Sequence, residues 1–120
     1  MVAAFGSHNR EEYFNAFDPT ATFVFHNMDR ILQSRAEYEQ EWLSWEEDGF
    51  TVLDCQSYNG SVTMLGEDVG VFTHIVRTTL AGEEGPIETG ERETIIFQNI
   101  DGVWLGVHEH LSIDPTFDEE

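Results

Sequence analysis

The spacing of apolar residues changes period along the chain. From Asn9 to Phe17 (NREEYFNAF), Tyr13, Phe14 and Phe17 recur on one face of a helix. Asn9 can cap it, Glu11 and Glu12 suit its positive N-terminus, and Pro19 predicts its end. ATFVFHN (21–27) then alternates as a strand does, and RILQ (30–33) reads as a short second strand. SRAE (34–37) is a capping box, with Ser34 as N-cap and Glu37 three positions on. Tyr38, Trp42 and Trp45 follow on one helical face, and Gly49 is placed to end the helix. Beyond it the period is that of strands: Phe50–Leu65, bulged near Tyr58-Asn59-Gly60, then Val69–Ala81, Ile87–Asn99 and Val103–Ser112. Turns are expected at Gly66–Asp68, at 81–86 and at Asp101-Gly102, a hairpin signal.

Helices followed by an antiparallel meander predict an α+β fold, with the helices on one face of a curved sheet. A length of 120 residues suits one domain over 1–120, with an acidic tail at 114–120. Apolar residues make up 40% of the chain, nine of them Phe, which is enough for a packed core. No apolar run approaches the roughly 18 residues of a membrane helix. MVAAFGSHNREEYF lacks the basic and apolar regions of a secretory signal, so a cytoplasmic protein is expected. The single cysteine, Cys55, has an acid rather than a cation beside it and reads as a buried thiol.

Charge narrows the partners. The formal net charge is −19, from 24 acids against five Arg, with no Lys. Such a surface repels nucleic-acid backbones and anionic membranes, and neither is an expected partner. Self-repulsion of this size fits a salt-adapted or acid-biased chain, and equally one simply kept soluble by its charge.

Strand alternation sorts the chemistry of WLGVHEHLS (104–112). Val103, Leu105, Val107, Glu109 and Leu111 fall on one face, and Trp104, Gly106, His108 and His110 on the other. The histidines would hold a metal only with a third ligand on their own face. GEEG (82–85) lacks the lysine and the strand–helix setting of a phosphate loop and reads as a hairpin tip.

GED (66–68), Glu93-Thr94 and above all DGVWLGVHEHLSIDP (101–115) resemble the nuclear transport factor 2-like superfamily, in its SnoaL-like branch. Within it they are most similar to the association domain of calcium/calmodulin-dependent protein kinase II. That domain ends on the same Asp-Gly-x-Trp-x-x-Val-His-x-His-x-Ser-x-x-Pro pattern. The likeness runs from about Asp29 to Pro115. It implies a cone, a bent sheet wrapped around helices with a pocket between, and a homodimer formed through the outer sheet face.

The resemblance also implies that Tyr38, Val76, Ile95 and Leu111 point into the cavity. That would put Glu109 on the pocket face with Val107, and Glu93 and His74 on neighbouring strands. Tyr13, Phe17 and Trp42 would line the helical side. His108 and His110 would lie outside, apart from His74, so no metal set is expected, and no cofactor is implied. Three of the family's cavity positions carry arginine but are Val76, Ile95 and Leu111 here. The cavity therefore suits an apolar or cationic organic molecule better than an anion.

A carboxylate held among Leu105, Val107 and Leu111 should have a raised pKa, which suits a general base near neutral pH. Glu109 is thus the expected proton base of an isomerase, dehydratase or cyclase, with His74 or Glu93 as partner. The superfamily also hosts binding and assembly domains, so a ligand-binding or oligomerisation domain without chemistry is the alternative.

Overall fold

The two predicted caps form as the sequence requires. In the computed structural model, which describes residues 2–117, the Asn9 side chain accepts from the Glu12 N–H and starts α2, Arg10–Asn15. Ser34 does the same for Glu37 at the start of α3, Arg35–Glu47. Gly49, at φ +96°, takes the left-handed turn that follows α3. A further helix, α1 (Val2–Gly6), precedes these. It has five residues and no predicted cap, and Gly6 lies against Cys55.

The first predicted helix ends early. Phe17 already opens β1, Phe17–Phe25, with Pro19 inside the strand. Proline is tolerated there because β1 is an edge strand and its register with the neighbouring strand slips between Phe17 and Thr22. RILQ contributes only one bridge, Phe23 to Leu32, and Leu32 plugs the core.

The remaining strands are β2 (Val52–Met64), β3 (Val69–Leu80), β4 (Ile87–Ile100) and β5 (Val103–Ile113). Together the five form one sheet in the order β1-β5-β4-β3-β2, antiparallel except where β1 runs parallel to β5. The architecture is α+β, a curved open sheet with the helices against one face. Asp101 and Gly102, at φ +53° and +87°, make the β4–β5 hairpin turn.

Under the helices sits an aromatic core. Phe17, Phe23, Leu32 and Trp42 are fully buried, and Tyr13, Phe14, Phe25 and Tyr38 nearly so. Each contributes about 1.5–3 kcal/mol by leaving water. The indole N–H of Trp42 donates to Glu46 Oε2 at 2.9 Å. That carboxylate also takes His8 at 2.6 Å and Arg10 at 2.9 Å. Burial opposes charge on Glu46, but these bonds outweigh it and hold its carboxyl below the ordinary value. An acid unfavourably placed for the helix dipole is thereby explained.

Two of the bulges bear on the site. One lies in β2 at Asn59, φ +56°, between Tyr58 and Ser61, as expected from Tyr58-Asn59-Gly60. The other was not legible. Ile96 pairs with His108 but Phe97 with Gly106, so Val107 is an extra residue in β5. Strict alternation fails there. Gly106 and Trp104 turn to the helix side with Glu109 and Leu111, and a Cβ on Gly106 would lie 2.8 Å from the Phe17 ring.

The start of the predicted tail is fixed. Asp114 is buried, forms an ion pair with Arg77 at 3.0 Å and accepts from the Thr116 N–H and hydroxyl. Phe117 covers Gly90 and lies beneath the Arg77 guanidinium. Residues 118–120 of the tail lie outside the described residues.

Candidate active site

Between the helices and the sheet lies a two-chambered cavity. The outer chamber, about 400 Å³, is lined by Phe25, His26, Tyr38, Trp45, Phe50 and Leu80 among others. It is of a size for a small organic ligand. The inner chamber, about 50 Å³, has room for only a few heavy atoms and is faced by Tyr13, Val76, Glu91, Glu93 and Glu109. Phe5, Tyr38, Thr78, Glu91 and Leu111 line both, so the two communicate through a common neck. Neither lining contains an arginine.

Sheet register brings the acid groups together. His74 of β3 pairs directly with Glu93 of β4. Glu93 pairs with Leu111 of β5, and Glu109 pairs with Ile95, which makes the two glutamates diagonal neighbours on one face. His74 Nε2 lies 2.5 Å from Glu93 Oε1, and the Glu93 and Glu109 carboxyl groups are hydrogen-bonded to each other. Tyr13 donates its hydroxyl to Glu109 Oε1 at 3.3 Å and meets the Tyr38 hydroxyl at 3.0 Å. At the other end, Ser57 Oγ of β2 lies 2.6 Å from His74 Nδ1.

Electrostatics assigns unequal roles to the two acids. Glu109 is only 2% exposed. Burial, and then the negative charge of Glu93, push its carboxyl well above the usual range. Glu93 is also desolvated, but hydrogen bonds from Glu109 and His74 outweigh that and keep it below its ordinary value. The two shifts run in opposite directions, so Glu109 holds a proton more readily than Glu93 does. With Glu93 ionised, His74 donates to it through Nε2, and the Ser57 hydroxyl, which can donate or accept, meets Nδ1. Burial and the nearby Glu109 raise both Tyr13 and Tyr38 well above the ordinary tyrosine value, so both are proton donors here.

The sequence-predicted site residues divide. Glu109, Glu93 and His74 come together, and Tyr13, Tyr38, Val76 and Leu111 line the cavity. Phe17, Trp42 and Ile95 are core residues behind the wall, each at most 2% exposed. Val107 is the extra residue at the β5 bulge, half-buried, and lines neither chamber. His108 accepts or donates at Thr22 Oγ1, 2.8 Å away, and His110 is exposed.

Other groups went unnoticed in the sequence. Val2 and Phe5 come from the unpredicted α1, and Glu91, paired with His26 at 2.5 Å, stands at the neck. Cys55, by contrast, was expected as a buried thiol; it lines the inner chamber, and burial pushes it up to about 11, which leaves it an unreactive wall group.

A model of the SnoaL-like domain matches residues 1–115. The chain belongs to the SnoaL-like domain family. This SnoaL-like chain matches no functionally curated protein. Among solved structures it is similar to a putative calcium/calmodulin-dependent protein kinase II association domain from Xanthomonas campestris. The identity is 20% and the TM-score 0.78, over 96% of this chain and 81% of that one. The association domain of the C. elegans kinase shares 20% identity at a TM-score of 0.70, over 92% and 84% of the two chains. An NTF2-like protein of unknown function in nutrient uptake from Rhodospirillum rubrum shares 17% at 0.76, over 93% and 90%. At these identities the likeness is one of fold.

Proposed function

We propose that this SnoaL-like domain binds a small apolar organic molecule in the outer chamber and moves protons on a functional group that enters the inner one. The observation that carries this reading is the buried, hydrogen-bonded Glu109–Glu93 pair at the cavity's end. A neutral acid and an ionised base side by side suit an isomerase, dehydratase or cyclase. This reading gives Glu109 a role different from the proton base expected from sequence: it is the acid, and Glu93, oriented by His74, is the base.

For a β-hydroxy carbonyl compound the balance is simple. Glu93 removes the proton α to the carbonyl, the C–H electrons form the new double bond, and the departing hydroxyl takes the Glu109 proton to leave as water. Glu93 then holds the proton that Glu109 lacks, and their hydrogen bond returns it. Tyr13, beside Glu109, stabilises its transient charge.

Deuterium wash-in tests the assignment. A panel of cyclic ketones and β-hydroxy ketones is incubated with the protein in D2O and followed by NMR. Incorporation α to the carbonyl is expected with wild type. Glu109→Gln and Glu93→Gln should each lower it by roughly 10²-fold or more. Equal rates in wild type and both variants would falsify the assignment.

A second reading is favoured by the names of the fold neighbours: association domains. On it the chain self-associates through the outer sheet face, where Val71, Ile75 and Ile96 lie half-buried, and does no chemistry. Native mass spectrometry showing oligomers with an unaltered ligand would support it.

A further inference from the structure

The hydrogen-bonded chain does not stop at the cavity. Ser57 lies on edge strand β2 and is exposed, whereas the His74 side chain behind it is fully buried. The β2 bulge stands opposite His74, because Tyr58 pairs with Ile75 and Ser61 with Thr73. Ser57 therefore reaches the imidazole diagonally, on the helix side of the sheet.

We propose that Ser57 is the outer end of a proton path, running through His74 and Glu93 to Glu109, that reaches solvent without passing through the ligand's entrance. The path is continuous: Ser57 Oγ to His74 Nδ1 is 2.6 Å, His74 Nε2 to Glu93 Oε1 is 2.5 Å, and Glu93 is bonded to Glu109. A hydroxyl suits the outer position because it both donates and accepts, and so stays bonded to Nδ1 whichever way the proton moves. The path deepens the acid–base reading and rests on it. A ligand filling the neck closes the cavity to water, and the pair's proton count is then set only from behind.

Each group on the path gives up one proton as it receives one. Water protonates Ser57 Oγ as the Ser57 proton passes to His74 Nδ1. The Nε2 proton passes to Glu93, and Glu93 supplies an ionised Glu109. One proton moves from water, which is left as hydroxide, to Glu109, and the imidazole is left with its proton on Nδ1; when Glu109 next releases its proton the same transfers run outward and return the ring proton to Nε2. The titratable groups facing this path are Glu91 and Glu93 of β4, Cys55 of β2, Glu109 of β5, and Tyr13 and Tyr38 of the helices.

The test needs no substrate, so its failure is distinct from failure of the deuterium wash-in. The neck is blocked by Thr78→Leu or, independently, by Leu111→Phe. The infrared C=O band of protonated Glu109, identified by its loss in Glu109→Gln, is first titrated, and its return is then followed after a rapid drop from a pH at which it is absent to one at which it is full. The band is expected to return quickly in the blocked proteins. Adding Ser57→Ala should slow the return at least about tenfold, and Ser57→Thr, which keeps the hydroxyl, should restore it. Two results overturn the path: a block that alone stops the return, or a blocked Ser57→Ala protein that recovers as fast as its parent.

Discussion

At the scale of single residues, the governing feature is that the Glu109 carboxyl is held above the range of an exposed glutamate. Its folded-state carboxyl titrates above the unfolded one, first because of burial and then because of Glu93. Between the two pKa values the folded state binds more protons than the unfolded, so stability falls as pH rises through that window. Glu109→Gln removes the titration. Thermal melts from pH 4 to pH 9 should show the variant gaining on wild type as pH rises, and parallel curves would contradict the assignment. That Glu109 shares a face with Leu111 could be read from alternation, because both lie on the C-terminal side of the bulge, and the family likeness made that face the pocket's. Its role could not. Whether a buried carboxyl is acid or base depends on Glu93 and His74, which lie on other strands and meet it only through register. Ser57 was hidden for the same reason: nothing local marks it, and it matters only beside His74.

At the scale of elements, local signals read well and long-range geometry did not. Caps at Asn9 and Ser34, the turns and the meander were all legible because their causes lie within a few residues. Phe17 was assigned to a helix because its spacing from Tyr13 is helical, but it opens the strand that pairs with β5. The Val107 bulge has no sequence mark, and an unrecognised extra residue reverses the face of everything on one side of it. Gly106 is its consequence: only a hydrogen leaves room for the Phe17 ring. Gly106→Ala should therefore destabilise the protein by about 1–3 kcal/mol through overpacking. Urea unfolding would measure it, and an unchanged midpoint would mean that Phe17 can move aside.

At the scale of the whole molecule, charge and connectivity dominate. With a net charge of −19, like charges repel across the surface, and the screening length shrinks from about 30 Å at 0.01 M salt to about 3 Å at 1 M. The melting temperature is expected to rise steadily over that range, and calorimetry showing no rise would remove salt adaptation as an explanation of the composition. Among the described residues no helix is long and apolar enough to cross a membrane. The parallel pairing of β1 with β5 carries a further consequence. Thr22 and His108 are bonded across 86 residues of chain. During synthesis β1 and the aromatic side chains beside it therefore emerge long before the strand that completes their sheet. Until β5 leaves the ribosome, Phe23 and Phe25 have no neighbouring strand along that edge. Closing so long a loop is slow, so the nascent chain has to survive with the backbone edge of β1 unpaired on that side, open to any other strand that meets it.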